Sequence, residues 1–298
     1  MNPASVVVVG NFDGVHKGHQ EVLRTARELE PGARLVALTF WPHPMSVVRP
    51  GSEPKLLCTL DERVNLLQQA GADVVKVIAF DRKLMQLSPE GFLDSYVGPL
   101  NPVRVVVGEN FRFGHRARGD LETLRRWGAG RFEVTGLELL STELQATSST
   151  EIRRLLAGGQ VAEAADHLGR PFRFTGTVVM GHQRGREFGF PTANLPVPEG
   201  FAAPDSGVYA GWMSLADPAN SQVWPAAISV GVNPTFDDVP AVVVEAHALD
   251  RDDLELYGVS IHVDFVARLR GNVRFEGILE LITQIGIDVE DTRAILNL

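Results

Sequence analysis

The sequence predicts two folded parts in one chain: an α/β domain built on a parallel sheet, then an antiparallel β-barrel domain that ends in helix. Three observations predict this. At 298 residues the chain is long enough for two domains. Its first half alternates apolar strand-like runs with helical patterns, the order that winds helices around a parallel sheet. Beyond Leu168-Gly169-Arg170-Pro171 the pattern becomes a series of alternating strands separated by glycine and proline, which suits an antiparallel barrel. The boundary is therefore expected at this break, with domains over residues 1–168 and 169–298.

Val6 to Val9 is a short β-branched run closed by Gly10, as expected of a central strand buried on both faces. Gly10 and Gly14 let the backbone turn tightly and approach a ligand, and His16 to Leu29 has helical spacing. A strand, a glycine-bearing turn and a helix N-terminus make a ready phosphate site. His16 and His19 are three apart and share a face of the first helical turn. Leu35–Phe40, Val74–Ile78 and Val103–Val107 read as further strands. Thr59 to Ala70 reads as a helix in which Thr59 and Glu62 have capping-box spacing. Ser88-Pro89-Glu90 opens another, with proline at the first helical position. Ligands of such sheets bind beyond the strand C-terminal ends, where Gly10, Phe40 and Gly108 fall. His43, just after Phe40, is either structural or site-lining. Ser148-Ser149-Thr150-Glu151 reads as a capped helix start that runs on through Arg153, and Val161 to Leu168 reads as helix.

In the second half, Phe172–Val179, Val208–Leu215, Val242–Leu249 and Val259–Val266 read as strands, and Phe275–Leu296 as helix. Gly181 to Leu195 reads GHQRGREFGFPTANL. Pro191 stiffens this segment. Thr192 and Asn194 point the same way if the chain is extended, and their hydroxyl and amide oxygens are hard ligands suited to Mg²⁺. There is no Walker A string and no lysine after Lys83, so phosphate here must be met by metal, backbone N–H groups and Arg184 or Arg186. Glu245 follows Val242-Val243-Val244, where a charge is costly without a partner. It reads as a general base or as a salt-bridged residue at a barrel rim. His247 shares its strand face, with a positional or a chemical role.

Composition removes several classes of function. A formal net charge of −9 argues against a nucleic-acid surface. The lone Cys58 excludes an internal disulfide and reads as a small buried hydrophobe in a reducing compartment. No signal-peptide pattern or membrane-length apolar run is seen, so a cytoplasmic enzyme is expected. The dinucleotide fingerprint GxGxxG is absent, which disfavours a Rossmann oxidoreductase. The HxxH spacing could be half of a zinc site, but no third ligand is evident nearby.

The string GNFDGVHKGH at Gly10–His19 resembles the signature of the HxGH nucleotidyltransferase superfamily in its flavin-adenylating branch. Ser148–Arg153 resembles that branch's SSTxIR motif, Gly108–Gly114 its GENFxFG loop, and Trp41–Pro44 its TFxPHP segment. In the second half, Gly181–Leu195 resembles the GxxxGRxLGFPTAN motif of riboflavin kinases, and Val244–His247 the segment that carries their catalytic glutamate. Asn233–Phe236 and Leu256–Gly258 are similar landmarks. Trp41 and Val232 depart from the usual residues. The resemblance spans nearly the whole chain, to the bifunctional prokaryotic riboflavin kinase/FAD synthetases.

It implies a Rossmann-like HxGH domain, a riboflavin kinase-like barrel and two separate active sites, with ATP as co-substrate and Mg²⁺ as cofactor. For adenylyl transfer it implies His16, His19 and Arg153. For ATP binding it implies Gly10, Phe12, Gly14, Ser149, Thr150, Gly181, Gly185 and Arg186. Asn110 and Phe113 are the implied flavin contacts, with core packing the other reading of Phe113. Glu245 is the implied kinase base, and Thr192 and Asn194 the implied metal ligands. Riboflavin, FMN, FAD, ATP, ADP and pyrophosphate follow as partners, with no nucleic acid or membrane and with oligomeric state open. Two rival readings are another small-molecule adenylyltransferase fused to an unrelated barrel, and a non-catalytic flavin-binding protein.

Overall fold

The structure, a computed structural model, describes residues 3–138, 147–181, 189–217, 219–220, 222–234 and 240–298. The chain divides into two compact units, Met1–Ser149 and Thr150–Leu298.

In chain order the first unit contains β1 (Ser5–Val9), α1 (Lys17–Leu29), β2 (Arg34–Trp41), α2 (Pro44–Val48), α3 (Leu60–Gln69), β3 (Val74–Ala79), α4 (Arg82–Gln86), α5 (Pro89–Phe92), β4 (Pro102–Gly108), α6 (Leu121–Gly128) and β5 (Glu133–Leu137). The strands form one parallel sheet in the order β3-β2-β1-β4-β5. β1 is central and buried along its whole length, which explains its unbroken valines. Val6 and Val8 pack with Val22, Leu23 and Ala26 of α1 on one face. Val7 and Val9 pack with Phe92, Leu93 and Leu124 on the other. Each such valine stabilises the fold by about 1.5 kcal/mol or more through burial. Thr59 Oγ1 caps α3 by accepting from Glu62 N at 3.2 Å, as its spacing predicts. Strand order reverses at β1, whose neighbours are β2 and β4, so the crevice beyond the ends of β1 and β4 is the switch point where such sheets bind ligands.

The next elements are α7 (Ser149–Ala157) and α8 (Val161–Leu168), then β6 (Phe172–Thr177), β7 (Ala193–Pro196), β8 (Gly207–Leu215), β9 (Val223–Pro234), β10 (Pro240–Ala248), β11 (Ser260–Arg270) and α9 (Ile278–Leu296). Gly169 ends α8 in the left-handed region at φ 74°, where only glycine is unstrained. The strands pair antiparallel in the order β6-β11-β8-β9-β10-β7. A bridge between Val179 and Asn194 joins the two outer strands, so the sheet curls into a near-barrel. Val244, Ala246 and Ala248 of β10 face its buried interior. Within this unit Asp205 N donates to Leu156 O at 2.9 Å and Arg268 donates to Gly158 O at 3.3 Å, tying the helical hairpin to the barrel. α9 is held by a two-pronged pair between Arg270 and Asp288, at 2.8 and 2.7 Å.

Candidate active sites

The first candidate site is the turn between β1 and α1. Phe12, Gly14 and Val15 all have positive φ, at 52°, 79° and 41°. Two of these are not glycine, so the surrounding packing must hold a strained turn. Phe12 supplies part of that packing: it is 2% exposed and its ring meets His19 edge-on with centroids 5.2 Å apart. A Cβ on Gly10 would lie 2.9 Å from the Phe12 ring, so glycine is required there. His16 is the N-cap of α1, but its side chain does not cap the helix. The His16 and His19 rings stack with centroids 3.6 Å apart, as their three-residue spacing predicts. Burial, the neighbouring His16 and the positive Arg63 push His19 well below the usual imidazole range. The stacked histidines thus sit at a helix N-terminus, with His19 held neutral, an arrangement suited to an anion.

Below the turn lies a buried polar cluster whose role the sequence did not reveal. Asp13 is 1% exposed and Arg63 is fully enclosed. They approach to 3.3 Å. Leu57 N donates to both Asp13 carboxylate oxygens, at 3.1 and 3.2 Å. Arg63 also donates to Phe40 O at 3.1 Å and to Asn11 Oδ1 at 3.5 Å, and its guanidinium lies 5.4 Å from the centre of the Trp41 ring. The unusual Trp41 thus covers a buried cation. Burial, and next the nearby Asp13 carboxylate, push the Cys58 thiol up to about 12, so it is inert as a nucleophile.

Ser149 Oγ donates to Asp13 O at 2.9 Å, so this hydroxyl ties the SST segment to the turn. Thr150 and Arg153 lie in the first turns of α7. His43 accepts from Met45 N at 3.1 Å and so caps α2, which gives it a structural role. In the loop after β4, Asn110 is exposed. Phe113 is 6% exposed and packs against Phe111 and Phe92, at 5.3 and 5.7 Å between centroids. Core packing thus accounts for most of its surface.

The second candidate site is on the barrel. Glu245 of β10 lies directly opposite Asn194 of β7, so the two share a face. This is the face opposite Val244 and Ala246. Glu245 is half-buried on that face, next along the strand to buried Val243. Thr192 and Asn194 point together, as expected. Asn194 Nδ2 donates to Thr192 O and Oγ1 at 3.2 and 3.3 Å, which turns its Oδ1 away from them. A Cβ on Gly181 would come within 2.6 Å of the Asn194 amide. His247 Nδ1 donates to Pro191 O at 2.8 Å, and burial lowers its pKa. That bond fixes the Pro191–Asn194 segment. Gly181, Pro191, Thr192 and Asn194 border a cleft open to solvent, with Ala246 and Ala248 at its wall and Arg251 and Tyr257 also lining it, while Glu245 and His247 stand outside its lining. Gly185 and Arg186, together with Arg184, Thr235 and Phe236, lie outside the described residues.

The two sites have counterparts in known proteins. An FAD synthetase family model matches residues 1–151, and a riboflavin kinase family model matches residues 168–296. A bifunctional riboflavin kinase/FMN adenylyltransferase of Listeria monocytogenes is 35% identical over 294 residues, covering 97% of this chain and 91% of the relative. The chain belongs to the bifunctional riboflavin kinase/FMN adenylyltransferase family. The Escherichia coli K12 member is 33% identical over 298 residues, covering 98% of this chain and 93% of that one. A crystal structure of a Streptococcus pneumoniae protein described as a macrolide-efflux protein has the same fold, with a TM-score of 0.87 at 31% identity, over 98% of this chain and 95% of that one. The efflux description belongs to that protein. Among the described residues of this chain, no helix is long and apolar enough to cross a membrane.

Proposed function

We propose that the C-terminal domain moves the γ-phosphate of ATP to the 5′-hydroxyl of riboflavin, giving FMN and ADP. The N-terminal domain then joins FMN to the adenylyl group of a second ATP, giving FAD and pyrophosphate. The observation that carries this reading is that two family models, one for each activity, match the two halves of one chain. We assign adenylyl transfer to residues 1–168 and kinase activity to 169–298, a division by sequence that counts α7 and α8 with the first part although they are bonded to the barrel.

A hydroxyl must lose its proton as it attacks phosphorus, so the kinase needs a base. Glu245 is our candidate, a half-buried carboxylate across the strand pair from Asn194. Thr192 and Asn194 carry neutral hard oxygens, donor chemistry that fits Mg²⁺ shared with phosphate and water, although the Asn194 amide would have to turn its Oδ1 in place of its Nδ2 toward Thr192 to share an ion with it. Bound there, Mg²⁺ supplies charge neutralisation. His247 is a positioning residue that holds Pro191. The apolar wall of the adjoining cleft suits the nucleotide base, with Gly181 letting the chain pack closely over Asn194.

Adenylyl transfer needs no protein base, because the FMN phosphate is already an anion. One of its oxygens bonds to the α-phosphorus, and the α–β bridging oxygen leaves with pyrophosphate. The work left to the protein is positioning and charge stabilisation. We assign it to His16, His19 and Arg153, with Gly10, Phe12 and Gly14 shaping the turn and Ser149 and Thr150 adding hydroxyls. Asn110 is proposed to meet the flavin, and Phe113 to support the loop that carries it.

Incubation with riboflavin, ATP and Mg²⁺, followed by chromatography of the flavins, tests the reading. FMN should accumulate first and FAD after it. Failure to phosphorylate riboflavin would overturn the kinase assignment, and failure to convert supplied FMN would overturn the other.

A further inference from the structure

Arg63 has no part in the reaction as described above. It projects from α3 into the first unit with no exposed surface, and a charge is kept in such a place only when it is well met. Its acceptors come from two different strand ends. Asn11 and Asp13 belong to the turn after β1, at 3.5 and 3.3 Å, and Phe40 O belongs to β2, at 3.1 Å. Charge-assisted bonds of this kind are usually about 2.7–2.9 Å. Its Nε is buried and has no hydrogen-bond partner among the described residues. The guanidinium is not committed to Asp13 alone. This guanidinium instead spreads over three acceptors, two of them on the strained turn.

We propose that Arg63 is a positioning residue for adenylyl transfer, holding the Gly10–Gly14 turn and the adjoining His19 in the geometry that receives the triphosphate of ATP. The proposal rests on the reading of the N-terminal domain as an FMN adenylyltransferase. Two further observations agree with it. Asp13, if left unneutralised beneath the turn, would repel a polyanion, and Arg63 cancels that charge at 3.3 Å. Asp13 O also receives Ser149 Oγ at 2.9 Å, so the turn that Arg63 holds is the one to which the SST segment is tied. The groups acting electrostatically on His19 are His16, stacked on it, and Arg63 itself.

The test uses the full chain, with riboflavin phosphorylation as an internal control, since that activity belongs to the other domain. Arg63→Lys keeps the charge but cannot fork to three acceptors. It should fold and lose about 10-fold in FAD formation from supplied FMN. Arg63→Met should lose about 10²-fold, the scale of a small misplacement of reacting groups. Because that variant leaves the buried Asp13 carboxylate without its guanidinium, the neutral pair Asp13→Asn with Arg63→Met is made alongside it. Replacing both charges of a buried pair is often tolerated. The neutral pair should melt near the parent and phosphorylate riboflavin normally, yet form FAD at least 10-fold more slowly. The His19 imidazole, followed by NMR titration, should move to a higher midpoint in both Met variants. Parental FAD synthesis in Arg63→Lys, or in the folded neutral pair, would overturn the proposal. A parent protein that never converts FMN would instead sink the adenylyltransferase reading on which it rests.

Discussion

At the scale of single residues, we propose that His19 and Glu245 carry the chemistry of the two sites, and their settings differ. His19 is held neutral by burial and by its neighbours. Its folded pKa is lowered, so it stays uncharged as pH falls and protonates only below the ordinary imidazole value of about 6.5. The free enzyme's kcat/KM for FAD formation should therefore show no break at that value that disappears with His19. A His19-dependent break at or above it would contradict the electrostatic account. His19→Ala should slow FAD formation from supplied FMN by roughly 10²-fold or more, the scale of losing one preorganised donor. Normal FAD synthesis in that variant would exclude a phosphate role. Glu245→Gln keeps shape but removes the proton acceptor, so riboflavin phosphorylation should fall by about 10² to 10⁴ in turnover. Undiminished turnover in the folded variant would remove Glu245 from the mechanism. The sequence made the histidine pair legible because spacing alone places His16 and His19 on one helical face. The setting of Glu245 is less legible, because Val243 and Val244 are both buried although they lie on opposite faces of the strand. Arg63 went unseen because an arginine on the inner face of a helix, in line with Leu67, reads as an ordinary surface residue until its strand-end acceptors are known.

At the scale of elements, the strands and helices that were legible are those with strong local signals. Residues 6–9, 35–40, 74–78 and 103–107 were read as strands, and each falls within a strand of the structure. β5 escaped because Glu133-Val134-Thr135-Gly136-Leu137 is a polar edge strand interrupted by glycine. β9 escaped because Pro225 and Gly231 break its pattern, and proline in a strand argues locally against one. β7 is only four residues long, and the glycines and proline just before it make the segment read as loop. The C-terminal helix α9 is legible from its helical periodicity, but not how it docks: its buried residues are Asp288 and Thr292. The Arg270–Asp288 pair therefore anchors the helix, and the Asp288 side chain is only 6% exposed. Removing one partner of a buried pair costs about 3–5 kcal/mol. Because Arg270 keeps some access to water, Asp288→Ala should cost about 2–3 kcal/mol, seen as a lower melting temperature for the kinase domain. An unchanged melt would show that α9 is held by other means.

At the scale of the whole molecule, the chain is two enzymes with two cores. The break read from sequence at residues 168–169 and the division into compact units at 149–150 differ by the length of the helical hairpin α7–α8. The sequence break marks where strand patterning starts. Tertiary bonds such as Asp205 N to Leu156 O attach the hairpin to the barrel, and no local pattern announces them. A fragment of residues 169–298 should phosphorylate riboflavin and make no FAD, and a fragment of residues 150–298 should do the same with a higher melting temperature. Equal melts would show that the hairpin adds nothing to the barrel. The central claim, that two independent sites act in series, is tested most directly by following FMN and FAD separately in full-length His19→Ala and Glu245→Gln with ATP and Mg²⁺. The account predicts reciprocal failure: His19→Ala converts riboflavin to FMN and stops, while Glu245→Gln leaves riboflavin largely unconverted but turns supplied FMN into FAD. Loss of both activities in either folded variant would contradict it.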